Sequence, residues 1–199
     1  VSMLDCQVGV LENAISRYFV TGESPKPMGN RHASVTPFEP FDTRDGQIIV
    51  AVANDNLFAK LCKLLNLENL ITDEKFVTNA LRTQNYEELR PILAEKMLEK
   101  STEEWKVALL DAGIPSGPIN NIEMLVNDEQ VLFRNMIQEV HHTKIGMSHL
   151  PGIPIKISGC DDSIRYAAPT IGQHSEKVLK HYLNYTDQEI EQMRKDNVL

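Results

Sequence analysis

The chain has 199 residues, 42% hydrophobic and 24% charged, with a formal net charge of −8. That length suits one large or two small domains and is enough to bury a core without disulfide or metal support. The acidic balance argues against a nucleic-acid surface, which needs clustered Lys and Arg, and no apolar run reaches the length of a membrane span.

Ser2-x-x-Asp5 opens the chain with the spacing of a capping box, Asp standing in for Glu. Leu4, Val8, Leu11, Ile15 and Tyr18 then recur at steps of four and three, which predicts one helix ending at Gly22. So apolar a cylinder expects cover on more than one side. Residues 26–46 are rich in Pro, Gly, Asn, Ser and Thr, and read as one long loop of the kind that is usually functional or disordered. Asp45-Gly46 reads as a turn, and "QIIVAVA" (47–53) as a strand.

A helix follows, capped at Asn54 or Asp55, with Leu57, Leu61, Leu64 and Leu65 inward. The next helix starts near Asn79, and Pro91 is expected to kink or restart it. Ser101 and Glu104 form a full capping box for a helix that stops at Gly113. "GIPSGPIN" (113–120) reads as a rigid turn, and residues 121–135 as a short helix or pair of helical turns. "MIQEVHH", "IGMSHL" and "IPIKISG" have the look of short antiparallel strands. Two helices close the chain, the last with Thr186 and Glu189 in another capping box. The fold class is therefore α+β, divided as a helix and loop (1–40), a small α+β unit (41–160) and a helical return segment (161–199).

Cys6, Cys62 and Cys160 are odd in number and far apart, which fits a reducing, cytoplasmic compartment. Cys6 and Cys62 lie in apolar helical patterns and are expected as small core residues. No secretory signal precedes Val1, and the missing initiator Met points to a piece of a longer polypeptide.

Familiar catalytic constellations are missing: no G-x-G-x-x-G after a strand, P-loop, G-x-S-x-G or H-E-x-x-H. Adjacent His141 and His142 would point to opposite faces of a strand, so with His149 they read as exposed histidines rather than metal ligands. Asp45 is a turn residue; Asp42 and Asp55 are candidates to line a pocket. Residue chemistry alone stops at an α+β domain with a conspicuous loop.

Four separated stretches go further. The helix ending in Gly22, Gly29-Asn30-x-His32, and Asp45-Gly46 before the strand are followed by Pro115-x-Gly117-Pro118 with Asp128, then "GIPIKISG", then Pro169-x-x-Gly172-x-His174. In this order, across nearly the whole chain, they resemble the family III CoA-transferases, the CaiB/BaiF group, over the C-terminal part of that family's chain.

The resemblance implies a CoA-transferase whose Rossmann-like half, CoA site and catalytic aspartate lie upstream of Val1. It implies no catalytic residue here, coenzyme A as substrate and carrier, no metal, and a full-length protein that forms an interlocked homodimer. The helical arms would pack on the missing half and on the partner chain. In such enzymes an aspartate takes the acyl group as a mixed anhydride and then holds CoA as a thioester until a second carboxylate accepts it.

In the formyl-CoA branch a glycine-rich lid follows the Gly-Asn pair. Here Arg31-His32-Ala33-Ser34-Val35-Thr36 stands in its place, so Asn30, Arg31 and His32 are the expected substrate contacts. The bland reading keeps Asn30 as a turn former and His32 as a tie for local backbone. His174 reads as a helix-start residue rather than a ligand contact. Two other readings stay open: an acyl-CoA racemase of the same superfamily, and a non-catalytic binding or dimerisation module. The racemase branch more often carries a Gly-Gly-Ala-Pro-type loop.

Overall fold

Ser2 starts the first helix, α1 (Met3–Val10), by accepting a hydrogen bond from the Asp5 amide. The computed structural model describes residues 1–199. The long helix expected at the start is two, because Leu11 leaves helical geometry and α2 (Glu12–Thr21) follows it. Gly22 closes α2 at φ 73°, a conformation that a Cβ would oppose. Neither helix buries a residue, so Cys6 is exposed rather than a core thiol.

Contacts divide the chain into two units, Val1–Ile119 and Asn120–Leu199. That boundary falls inside the stretch 41–160 that the sequence pattern groups together.

The first unit is built on a three-stranded antiparallel sheet. Strands β1 (Phe38–Asp42) and β2 (Gln47–Ala51) pair from Phe38–Ala51 to Asp42–Gln47 around the Asp45-Gly46 turn. A third strand, β3 (Ser116–Pro118), pairs with the other side of β2. Two of these strands correct the sequence reading. The end of the long loop is β1, and the rigid turn contains β3. Both carry prolines, which a sheet accepts on its edges because an edge strand has N–H positions that need no partner.

Helices α3 (Asp55–Leu64), α4 (Asn79–Gln84), α5 (Tyr86–Met97) and α6 (Thr102–Asp111) supply the rest of the core, with a 3-10 turn at Glu68–Ile71. Phe41, Ile48 and Val50 from the sheet meet Phe58, Leu61, Leu89, Leu93, Trp105 and Leu109 from the helices. Each such side chain contributes roughly 1.5–3 kcal/mol of burial. Asn54 caps α3 through its side chain, and Ser101 with Glu104 forms the full box on α6. The break between α4 and α5 lies at Asn85, whose side chain donates to the Lys75 and Leu81 carbonyls. Pro91 sits inside α5, where it removes one backbone donor while the helix runs through it.

In the second unit, Asn121 and Asp128 cap two single-turn helices, α7 (Ile122–Val126) and α8 (Glu129–Phe133). Strands β4 (Ile137–His142) and β5 (Gly146–Pro151) form a hairpin. The third expected strand, "IPIKISG", is irregular. Side chains hold the segment after it instead: buried Gln138 donates to the Asn135 and Asp162 carbonyls and accepts from the Ile164 amide. Two helices, α9 (Ser175–Leu183) and α10 (Asp187–Lys195), complete the unit. Thr186 and Glu189 cap α10 as expected, and Ile190 is its buried residue.

Candidate substrate-binding loop

The loop ahead of β1 is clamped by α4. Asn79 accepts from the Thr36 amide at 3.0 Å and donates to the Ser34 carbonyl at 2.7 Å. Arg82 donates to the Thr36 carbonyl at 2.9 Å. A segment whose composition reads as flexible therefore has a fixed position against the unit's core.

Within it, His32 is largely consumed by local structure. Its backbone N–H donates to the Phe38 carbonyl at 2.8 Å, and its Nδ1 accepts from the Ser34 amide at 3.2 Å. Its ring stacks on Phe38 at 5.3 Å between centroids. Asn30 is exposed in the turn that Gly29 shapes.

Arg31 differs from both. Its guanidinium lies over the Tyr86 ring, 4.0 Å from the centroid. Arg82 and Arg90 in the same unit are each paired with a carboxylate, whereas Arg31 forms no ion pair. It lines a concavity of about 550 Å³ together with Lys26, Pro27, Met28, Tyr86 and Glu87. Two cationic side chains against one anionic one give this surface a positive balance in a chain of net charge −8. Planar N–H donors without an acidic partner are suited to receive a carboxylate.

Glu39 fixes the floor of this arrangement. It is 5% exposed, and one carboxylate oxygen accepts from Tyr86 Oη at 2.9 Å and from Arg90 Nε at 3.0 Å. Burial, then the hydrogen bond to Glu39 and its negative charge, raise the Tyr86 phenol above its usual pKa, so it remains a neutral donor. Nothing in the sequence marked Glu39, Tyr86 or Lys26, since the first two meet across 47 positions.

Asp42, Asp45 and Asp55 each have a partner within the first unit. Asp55 pairs with Arg82, and Asp42 accepts from the Gln47 side chain at 2.7 Å. Asp45 is the expected turn residue and also accepts from Thr102, at the start of α6. In the second unit, His142 accepts from the Lys144 and Ile145 amides, and His149 meets Glu139 at 3.3 Å. His174 precedes α9 without a capping bond from its side chain. It lines a second, exposed concavity of about 380 Å³ with Glu139, His141, Arg165, Tyr166 and Gln173.

Comparison with known proteins places the chain in a family. The family described as CoA-transferase family III matches residues 1–175. The chain is 34% identical over 192 residues to succinyl-CoA:glutarate CoA-transferase of Mus musculus, covering 96% of this chain and 44% of that protein. It is 32% identical over 183 residues to acetyl-CoA:oxalate CoA-transferase of Acetobacter aceti, covering 92% and 46%. Among solved structures, a CaiB/BaiF family protein from Brucella suis superposes with a TM-score of 0.74 at 32% identity, covering 87% of this chain and 45% of that one. The chain thus spans less than half the length of these relatives.

Proposed function

The chain belongs to CoA-transferase family III, and on that premise we propose that it is the C-terminal segment of an enzyme moving CoA between carboxylic acids. The observation that carries the reading is the match over residues 1–175, together with relatives named for exchange of CoA between acids. The nucleophile, an aspartate, belongs to a part of the enzyme outside this chain. It attacks the acyl-CoA carbonyl, expels the thiolate and forms a mixed anhydride. The thiolate then attacks the aspartyl carbonyl, releasing the first acid and leaving an aspartyl-CoA thioester, from which the second carboxylate takes the CoA.

Both intermediates hydrolyse if water reaches them. The loop bearing Asn30, Arg31 and His32 therefore has two tasks: to contact the acid and to keep water out. A clamped loop suits the second task, and unpaired Arg31 suits the first. Coenzyme A is the carrier and the substrates are acyl-CoA and a free acid. The exposed apolar arms support a full-length homodimer, and three unpaired cysteines support a cytoplasmic setting.

The test uses the full-length protein with succinyl-CoA and glutarate, followed by mass spectrometry of the thioesters. Glutaryl-CoA is the expected product. Exchange of the α-proton in deuterated water without a new thioester would instead establish the racemase reading. The names of the relatives favour transfer over that alternative. A third outcome, micromolar binding of CoA by the 199-residue chain alone, would favour a self-sufficient binding module.

A further inference from the structure

We infer that Tyr86, fixed by buried Glu39, is a positioning residue that holds Arg31 as the carboxylate contact of this loop. The inference rests on the functional reading above and narrows it, because it assigns different tasks to three adjacent residues. His32 is the pin, with its ring against Phe38 and its Nδ1 already accepting a bond. Arg31 is the contact, with its donors unpaired at the edge of a concavity.

A free arginine side chain samples many rotamers and loses that freedom when it grips a ligand. Stacking on an aromatic ring restricts the guanidinium to one plane before the acid arrives, so less entropy is lost on binding. The ring can do this only if it is itself immobile. Tyr86 is immobilised at its far end, where its hydroxyl donates to a carboxylate that Arg90 also holds. Lys26 adds a second positive charge to the concavity, while Glu87 supplies the opposing one.

The experiment measures KM and kcat of the full-length enzyme for glutarate in four variants. Arg31→Ala is expected to raise the glutarate KM about tenfold, the loss of a charge-assisted contact. Tyr86→Leu is expected to raise it about threefold to fivefold, with kcat within about twofold of wild type. Tyr86→Phe keeps the ring but frees it from Glu39, and is expected to raise the glutarate KM about twofold to threefold, between wild type and Tyr86→Leu. In the double variant Tyr86→Leu should add nothing to Arg31→Ala, because it acts through that residue.

An equal effect of Tyr86→Leu with and without Arg31 would overturn the inference while leaving CoA transfer intact. So would a Tyr86→Leu enzyme with wild-type glutarate KM. If Tyr86→Leu does not fold, comparing Tyr86→Phe with the Arg31→Ala/Tyr86→Phe double variant serves instead. If the wild-type enzyme transfers no CoA, that failure belongs to the functional reading. The positioning is then read by nitrogen-15 NMR of the Arg31 side chain during glutarate titration of the protein. A saturable shift weakened in Tyr86→Phe supports the inference; a resonance that moves equally with sodium chloride refutes it.

Discussion

The Arg82 guanidinium is fully buried, and its Nη2 donates to Asp55 Oδ1 at 2.7 Å while the Asp55 side chain stays 58% exposed. The charge is thus drawn into the core by a partner that remains in water. Two further donors reach the Thr36 and Phe76 carbonyls at 2.9 Å, and the guanidinium carbon lies 4.3 Å from the centroid of the Phe58 ring. This one side chain ties the loop ahead of β1, the segment before α4 and the start of α3 together.

The asymmetry of exposure predicts unequal costs. Arg82→Met strips two carbonyls of their partner and should cost about 3–5 kcal/mol. Asp55→Ala should cost less, about 2 kcal/mol, because the buried cation loses its counter-ion but water can enter on the exposed side that the carboxylate vacates. Urea unfolding followed by the fluorescence of Trp105, the single tryptophan, measures both. Equal losses for the two variants would mean that the ion pair, not the carbonyl contacts, carries the stability.

Asp45 predicts a pH dependence. The Thr102 backbone N–H, followed by the Thr102 hydroxyl, holds the Asp45 carboxylate below its ordinary pKa of 3.8. A carboxylate with a depressed folded-state pKa contributes stability that is complete above the unfolded value and disappears as pH falls through the folded one. Asp45→Asn should therefore be less stable than wild type at pH 7. The two should converge below about pH 3.8, as the remaining wild-type charge is neutralised. Unfolding midpoints at pH 7, 5 and 3 check this, and a gap that widens toward pH 3 contradicts it.

What the sequence disclosed and what it withheld divide along one physical line. Ser101 with Glu104, Thr186 with Glu189, and Asn54 were legible as caps because each acts on an amide three residues away. Strand β2 was legible from its β-branched run. Strand β1 was hidden by Pro37 and Pro40, because edge position is a property of the sheet rather than of the segment. The break at Leu11 was hidden by an unbroken apolar period. Arg31 could be picked out only through the family resemblance that the Gly-Asn motif beside it carries. Tyr86 and Glu39 could not, since their pairing exists only once β1 and α5 are packed.

The three cysteines should separate cleanly by reactivity. Cys6 and Cys160 are exposed, whereas burial pushes the Cys62 thiol up to about 12. At pH 8 only about one Cys62 in ten thousand is a thiolate, and that one is shielded from reagent. Native protein treated with a thiol-reactive disulfide at pH 8 should release two equivalents quickly and the third only in denaturant. Three fast equivalents without denaturant would show that the core around Cys62 opens readily.

The two leading helices have no cover of their own. Leu4, Val10, Phe19 and Val20 are each more than 70% exposed, and no residue of α1 or α2 is buried. Helices of 8 and 10 residues fall below the length at which a helix persists in water unaided. In the 199-residue chain they must therefore fray or find cover from another copy. Hydrogen exchange should show their amides unprotected in dilute solution, while those of β2, α5 and α6 exchange slowly. Concentration should then raise both protection and apparent mass together. Phe19→Glu should suppress that association and leave the unfolding free energy read from Trp105 within about 0.5 kcal/mol of wild type, because Phe19 is exposed and touches no core. A monomer whose α1 and α2 amides are strongly protected would contradict the argument, since nothing in the first unit buries them.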